Sequence, residues 1–125
     1  MVDNAKNNKL ILSPIGGAKW VVVKAVYYHL AGYVFCIPKG FIFDGASIPK
    51  VLRSFVNKDG LWKSSLLHDF LYRTQPVSRK IADQLFLLQM KIDGVGWIKR
   101  HTVYRGLRLG GWVTFNAHKA KLATN

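Results

Sequence analysis

Hydrophobic positions in the first half of the chain recur with a period of two. Lys19 to Tyr28 (KWVVVKAVYY) sets Trp20, Val22, Val26 and Tyr28 against Val21, Val23, Ala25 and Tyr27. That is the alternation of a strand, in residues that favour pleated backbone. Leu10 to Ile15, Tyr33 to Ile37 and Phe41 to Phe43 read as further strands, separated by Gly16-Gly17, Ala31-Gly32 and Pro38-Lys39-Gly40. Both faces of this antiparallel meander are apolar, so each needs a cover. From Leu61 the period becomes helical. Leu61 to Thr74 (LWKSSLLHDFLYRT) stops before Pro76, whose ring pushes the preceding residue out of helical backbone. Ser78 is a ready N-cap for Arg79 to Ile92, where Ile81, Leu85, Leu88 and Ile92 trace a stripe that Ala82, Phe86 and Met90 widen. Asp93-Gly94 ends that helix. A third helix is predicted from Trp97 to about His118, with Gly106 and Gly110 on one face admitting a close neighbour. The expected architecture is a single α+β domain over residues 1–125, β-rich over 10–49 and helical over 61–120. In it the meander packs on three helices, the first two an antiparallel pair joined by Gln75 to Val77.

Composition narrows the class. The chain has 125 residues, 50% of them hydrophobic and 13% aromatic, enough for one packed core and too apolar for a disordered tail. Its longest apolar runs fall well short of the ~20 residues of a membrane span, and Met1 to Lys9 lacks the apolar region of a secretory signal. The expectation is a soluble chain. Cys36 is the sole cysteine, which excludes an internal disulfide, fits a reducing compartment and reads as a small core residue.

Nineteen Lys and Arg stand against six acids, all Asp, for a formal charge of +13. Nucleic acid, an anionic phospholipid surface and an acidic protein surface would each welcome that balance, and so would simple solvation. The densest cations, Lys99, Arg100, Arg105 and Arg108, lie on the third predicted helix among Trp97, Tyr104 and Trp112 and are the candidate anion-binding residues. The alternative is an amphipathic helix with inward aromatics and solvated cations. No helix-turn-helix, zinc or strand-borne aromatic signature accompanies them.

Three carboxylates have ordinary explanations: Asp3 in the polar start, and Asp59 and Asp93 in Asp-Gly turns. Asp44, Asp69 and Asp83 do not. Asp83 shares its helical face with Phe86, Leu87 and Met90, so it points away from water and needs a partner, because burying a lone carboxylate costs several kcal/mol. His68 is the natural mate. Folding the two helices antiparallel brings its face, which also carries Tyr72, against that of Asp83, while Asp69 is turned by about 100°. The arrangement reads as a histidine base oriented by a buried acid, with Asp69 at the rim available to a cation. The bland alternative is a pair that only locks the helices. Asp44, Gly45 and Ser47 either form a turn feeding Pro49 or line the same cleft as His68. His29, His101 and His118 show no ligand spacing.

Two resemblances follow from these residues. His68-Asp69-x-x-Tyr72, followed by Asp83-x-x-Phe86 on an antiparallel helix, resembles the His-Asp helix pair of phospholipase A2-like enzymes. The resemblance implies that His68 activates water, Asp83 orients it, Tyr72 is a second hydrogen-bonding partner, Asp69 binds calcium, and an upstream glycine-containing loop gives the metal carbonyl oxygens. The second spans nearly the whole chain: Ile37-Pro38-Lys39-Gly40-Phe41-x-x-Asp44-Gly45-Ala46-Ser47-Ile48-Pro49, then Leu67-His68-Asp69-x-Leu71-Tyr72, then Arg79-x-x-Ala82-Asp83-x-x-Phe86. Three motifs in this order resemble the DUF1353 family of small bacteriophage and prophage proteins. That resemblance implies viral origin, expression in the host bacterial cytoplasm and a place in the virion or its assembly, with phage structural proteins as partners. Two functions are therefore expected: a calcium-dependent ester hydrolase, or a non-catalytic virion or assembly component whose basic surface binds an acidic protein or DNA.

Overall fold

The computed structural model describes residues 12–17, 19–44 and 61–124. The fold is α+β, with five strands preceding four helices among the described residues, in two compact units, residues 1–54 and 55–125.

The first unit holds β1 (Leu12–Gly16), β2 (Lys19–Val22), β3 (Val26–Leu30), β4 (Tyr33–Ile37) and β5 (Ile42–Asp44). They form two antiparallel sheets, β1-β2-β5 and β3-β4. The strand expected over Lys19 to Tyr28 is thus two strands that pair with different partners. Lys24 interrupts the apolar series Trp20, Val22 and Val26, and Val23 and Lys24, both exposed, form the bend at the join. Ala31 and Gly32, with φ of +49° and +85°, form the two-residue turn whose positive angles match the twist of a β3-β4 hairpin. Val22, Val26, Tyr28, Leu30, Phe35, Ile37 and Phe43 are buried. Cys36 is exposed rather than a core residue: successive residues of a strand face opposite ways, and its neighbours Phe35 and Ile37 are the ones turned inward. Asp44 ends β5, opposite Lys19. Leu10 and Ile11 of the expected first strand lie outside the described residues.

The second unit holds α1 (Trp62–Thr74), α2 (Arg79–Ile92), α3 (Trp97–Gly110) and α4 (Trp112–Thr124). Helix α1 ends at Gln75, whose φ of +51° turns the chain before Pro76. Ser78 Oγ accepts from the Ile81 amide at 3.3 Å and starts α2. Its end is a Schellman motif. Gly94 takes a φ of +85°, and the Gly94 and Val95 amides donate to the carbonyls of Lys91 and Met90. Asp93 also accepts from Ser64 Oγ at 2.7 Å and Gln89 Nε2 at 2.9 Å, joining the start of α1 to the end of α2. Leu66, Leu67, Leu71, Ala82 and Met90 are fully buried, each larger side chain contributing roughly 1.5–3 kcal/mol of transfer free energy. Ile92, expected on the apolar stripe, is 60% exposed.

The single third helix expected from Trp97 to His118 is two helices, so the described residues of this unit form four helices rather than three. The break falls at Gly110-Gly111, two adjacent residues with weak helix propensity. Gly106 and Gly110, expected to admit a close neighbour, have open space where a side chain would start. The closely approached glycine is Gly111. There an added Cβ would stand 2.5 Å from Tyr72 Oη and 2.7 Å from the Leu107 carbonyl oxygen.

Candidate active site

Helix α1 carries His68 and Tyr72 one turn apart, their rings 4.0 Å apart between centroids. Phe86 of α2 lies on the imidazole at 4.8 Å, and Phe115 of α4 meets the Tyr72 ring edge-on at 5.1 Å. Between these rings sits the carboxylate of Asp83, with no exposed surface. Its Oδ1 lies 3.0 Å from His68 Nε2 and accepts from the Tyr72 hydroxyl at 2.6 Å. Its Oδ2 accepts from Arg108 Nη1 at 2.7 Å and, at 3.4 Å, from Arg79 Nη1. The partner that a buried Asp83 requires is therefore a set of four donors from α1, α2 and α3.

Burial alone would raise the Asp83 pKa, but the hydrogen bonds from His68, Tyr72 and Arg108 outweigh it and hold the carboxyl below its ordinary range. Burial, then the neighbouring Asp83 carboxylate, push the Tyr72 hydroxyl well above its ordinary value. Tyr72 is accordingly a permanent neutral donor. An ionised Asp83 can only accept, so the proton between it and the imidazole belongs to Nε2. The lone pair then resides on Nδ1, which makes no hydrogen bond among the described residues. The His68 side chain retains 14% of its surface.

Asp69 is elsewhere. It is 8% exposed and accepts from Arg73 Nη1 at 3.2 Å, one turn along α1. The acid expected to stand free at the rim is thus held by a guanidinium. Among the described residues no three His, Cys or acidic side chains converge as metal ligands. A calcium ion also takes backbone carbonyl oxygens, and the upstream loop expected to supply them lies, after Asp44, outside the described residues. Asp44 belongs to the strand unit, while Gly45 and Ser47 lie outside the described residues.

The four cations of the candidate anion-binding cluster point in different directions around α3, about 100° per residue. Arg108 serves the buried Asp83, Arg100 donates to the Val95 carbonyl at 3.1 Å, and Arg105 is exposed. Lys99 is half-buried. Sequence reasoning gave Arg79 no role, although its position four residues before Asp83 was a readable signal. It also donates to the Leu107 carbonyl at 3.0 Å and the Arg108 carbonyl at 3.4 Å, capping the end of α3. Gln75 was missed too. Its Nε2 donates to the Phe115 carbonyl at 2.7 Å and ties the α1–α2 turn to α4.

The family described as "Protein of unknown function (DUF1353)" has a model that matches residues 20–107. The chain belongs to the DUF1353 family. No curated protein and no solved structure matches it. In this DUF1353 protein the matched span includes His68, Tyr72, Arg79 and Asp83 and stops one residue before Arg108.

Proposed function

We propose that this DUF1353 protein is an ester hydrolase in which His68 is the general base. The observation that carries the reading is the His68 Nε2 to Asp83 Oδ1 contact of 3.0 Å, with the opposite ring nitrogen unbonded among the described residues. In this mechanism Nδ1 takes a proton from water as the oxygen attacks the ester carbonyl, and returns it to the departing alcohol. Asp83 keeps the imidazole in one tautomer and stabilises its protonated form, while Tyr72 fixes the carboxylate. No serine nucleophile enters these steps. The motif resemblance to small phage and prophage proteins supports reading this chemistry as belonging to a bacterial host cytoplasm.

The test is acid release from a soluble nitrophenyl ester and from phospholipid dispersions. His68→Ala should reduce release by roughly 10²–10⁴-fold without altering the circular dichroism spectrum. No release from either substrate by the wild-type chain overturns the reading.

A second reading is favoured by the two arginines on Asp83. Arg79 and Arg108 join α2 to the end of α3 whether or not His68 acts on anything, as in a non-catalytic virion or assembly component. In that case His68→Ala and His68→Gln change stability alone.

A further inference from the structure

The outward sides of α3 and α4 are apolar and lie in a stretch without acid. On α3 the buried Val103 and Leu107 mark the inward side. Opposite them Ile98, Thr102, Arg105 and Leu109 succeed one another at helical spacing, with Ile98 76% and Leu109 81% exposed. On α4 one side carries Phe115, whose ring meets Tyr72. Opposite it lie Val113, Ala117 and Ala120, with Trp112 and Asn116 on the flank between the two sides and no charge among these five. Trp112 and Val113 are more than half exposed, and Lys119 and Lys121 border this side at about 100° per residue. None of the side chains of α4 is buried. A helix apolar on both sides with only one of them covered calls for a second surface. No Asp or Glu follows Asp93, whereas six Lys and Arg do.

We propose that this outward face of α3 and α4 docks on an anionic lipid bilayer. Ile98, Leu109, Trp112 and Val113 enter the headgroup boundary, and Arg105, Lys119 and Lys121 meet lipid phosphate. Contact is peripheral, since no described helix is long and apolar enough to cross a membrane. Charge and residue type select this occupant. A second copy would bring +13 against +13. A nucleic acid would be held by stacking on rings, yet Ile98, Leu109 and Val113 are aliphatic and stack on no base. A bilayer, oily within and negative at its headgroups, uses both features. The face contains neither His68 nor Asp83, so it stands whether or not the hydrolase reading does.

Sedimentation of the full chain with phosphatidylcholine vesicles, with and without phosphatidylglycerol, tests this. The protein should bind the phosphatidylglycerol vesicles, with a blue shift of tryptophan emission, and salt should weaken binding. Leu109→Asp and Val113→Asp, at exposed sites, should each weaken it by roughly tenfold or more while preserving helicity. Lys119→Gln and Lys121→Gln should each cost about fivefold. His68→Ala should bind as the wild type does. The proposal is overturned if phosphatidylglycerol vesicles leave the protein in solution. It is also overturned if Leu109→Asp and Val113→Asp bind undiminished, which means charge alone, or if a single-stranded oligonucleotide is retained and vesicles are not.

Discussion

Gly111 of the α3–α4 junction stands directly against the hydroxyl of Tyr72. A methyl carbon there would lie 2.5 Å from Tyr72 Oη, 2.7 Å from the Leu107 carbonyl oxygen and 3.4 Å from Arg79 Nη1. None of the three gives way cheaply: the hydroxyl is fixed by Asp83 at 2.6 Å, the carbonyl is backbone, and the guanidinium caps α3. The contact couples the bend between the last two helices to the donor set of the buried acid.

Gly111→Ala should therefore destabilise the protein by about 1–3 kcal/mol through overpacking, read as a fall of several degrees in Tm. Gly106→Ala meets open space on a helix and should gain up to about 1 kcal/mol from helix propensity. If the two substitutions have equal effects, the close approach at Gly111 is not a constraint.

Asp83→Asn leaves two guanidinium groups facing an uncharged amide and should cost about 3 kcal/mol or more, measured as a lowered urea midpoint at neutral pH. The acid dependence follows from the depressed pKa of Asp83. A carboxyl that ionises more readily folded than unfolded adds stability that is complete above its unfolded pKa, about 4. This stability is lost as pH falls through the lower folded value. The wild type should lose stability below about pH 4, and Asp83→Asn should lose less over the same interval. Parallel losses in the two proteins would assign the acid response to other groups.

Tyr72→Phe keeps the ring contacts with His68 and Phe115 and removes one donor from Asp83. It should cost about 1 kcal/mol of stability. In the hydrolase reading it lowers kcat by several-fold with KM little changed, since the hydroxyl touches the orienting acid and not the ester. A raised KM at constant kcat would place Tyr72 in substrate binding instead.

Asp69 is engaged by the Arg73 guanidinium at 3.2 Å, which occupies the carboxylate that a cation would need. Ester hydrolysis should then persist in the presence of a chelator. Complete loss on chelation, restored by added calcium, would return Asp69 to the role of metal ligand.

Helix α2 is legible from sequence to its ends, because a serine cap and an Asp-Gly stop bracket one apolar stripe. The meeting of His68 with Asp83 is legible for a related reason: a short link forces α1 and α2 antiparallel, and an acid on an apolar face has few mates to choose from. Arg108 is not. It reaches Asp83 from 25 residues along the chain, and nothing local separates it from the solvated cations beside it. The bend at Gly111 was hidden for a geometric reason. Gly106 and Gly110 have the regular spacing, yet one residue further around the helix faces the crowded side. The division of β2 from β3 left only a faint mark, Lys24 within a run of apolar residues, since partner choice depends on strands distant in sequence.

Because the carboxylate at position 83 gathers donors from three helices, its surroundings are completed late as the ribosome delivers the chain. A nascent product extending only through α2 already has the imidazole, the phenol and the Arg79 guanidinium, but lacks the shorter guanidinium contact, that of residue 108. The full donor set is thus tied to arrival of the last turn of α3.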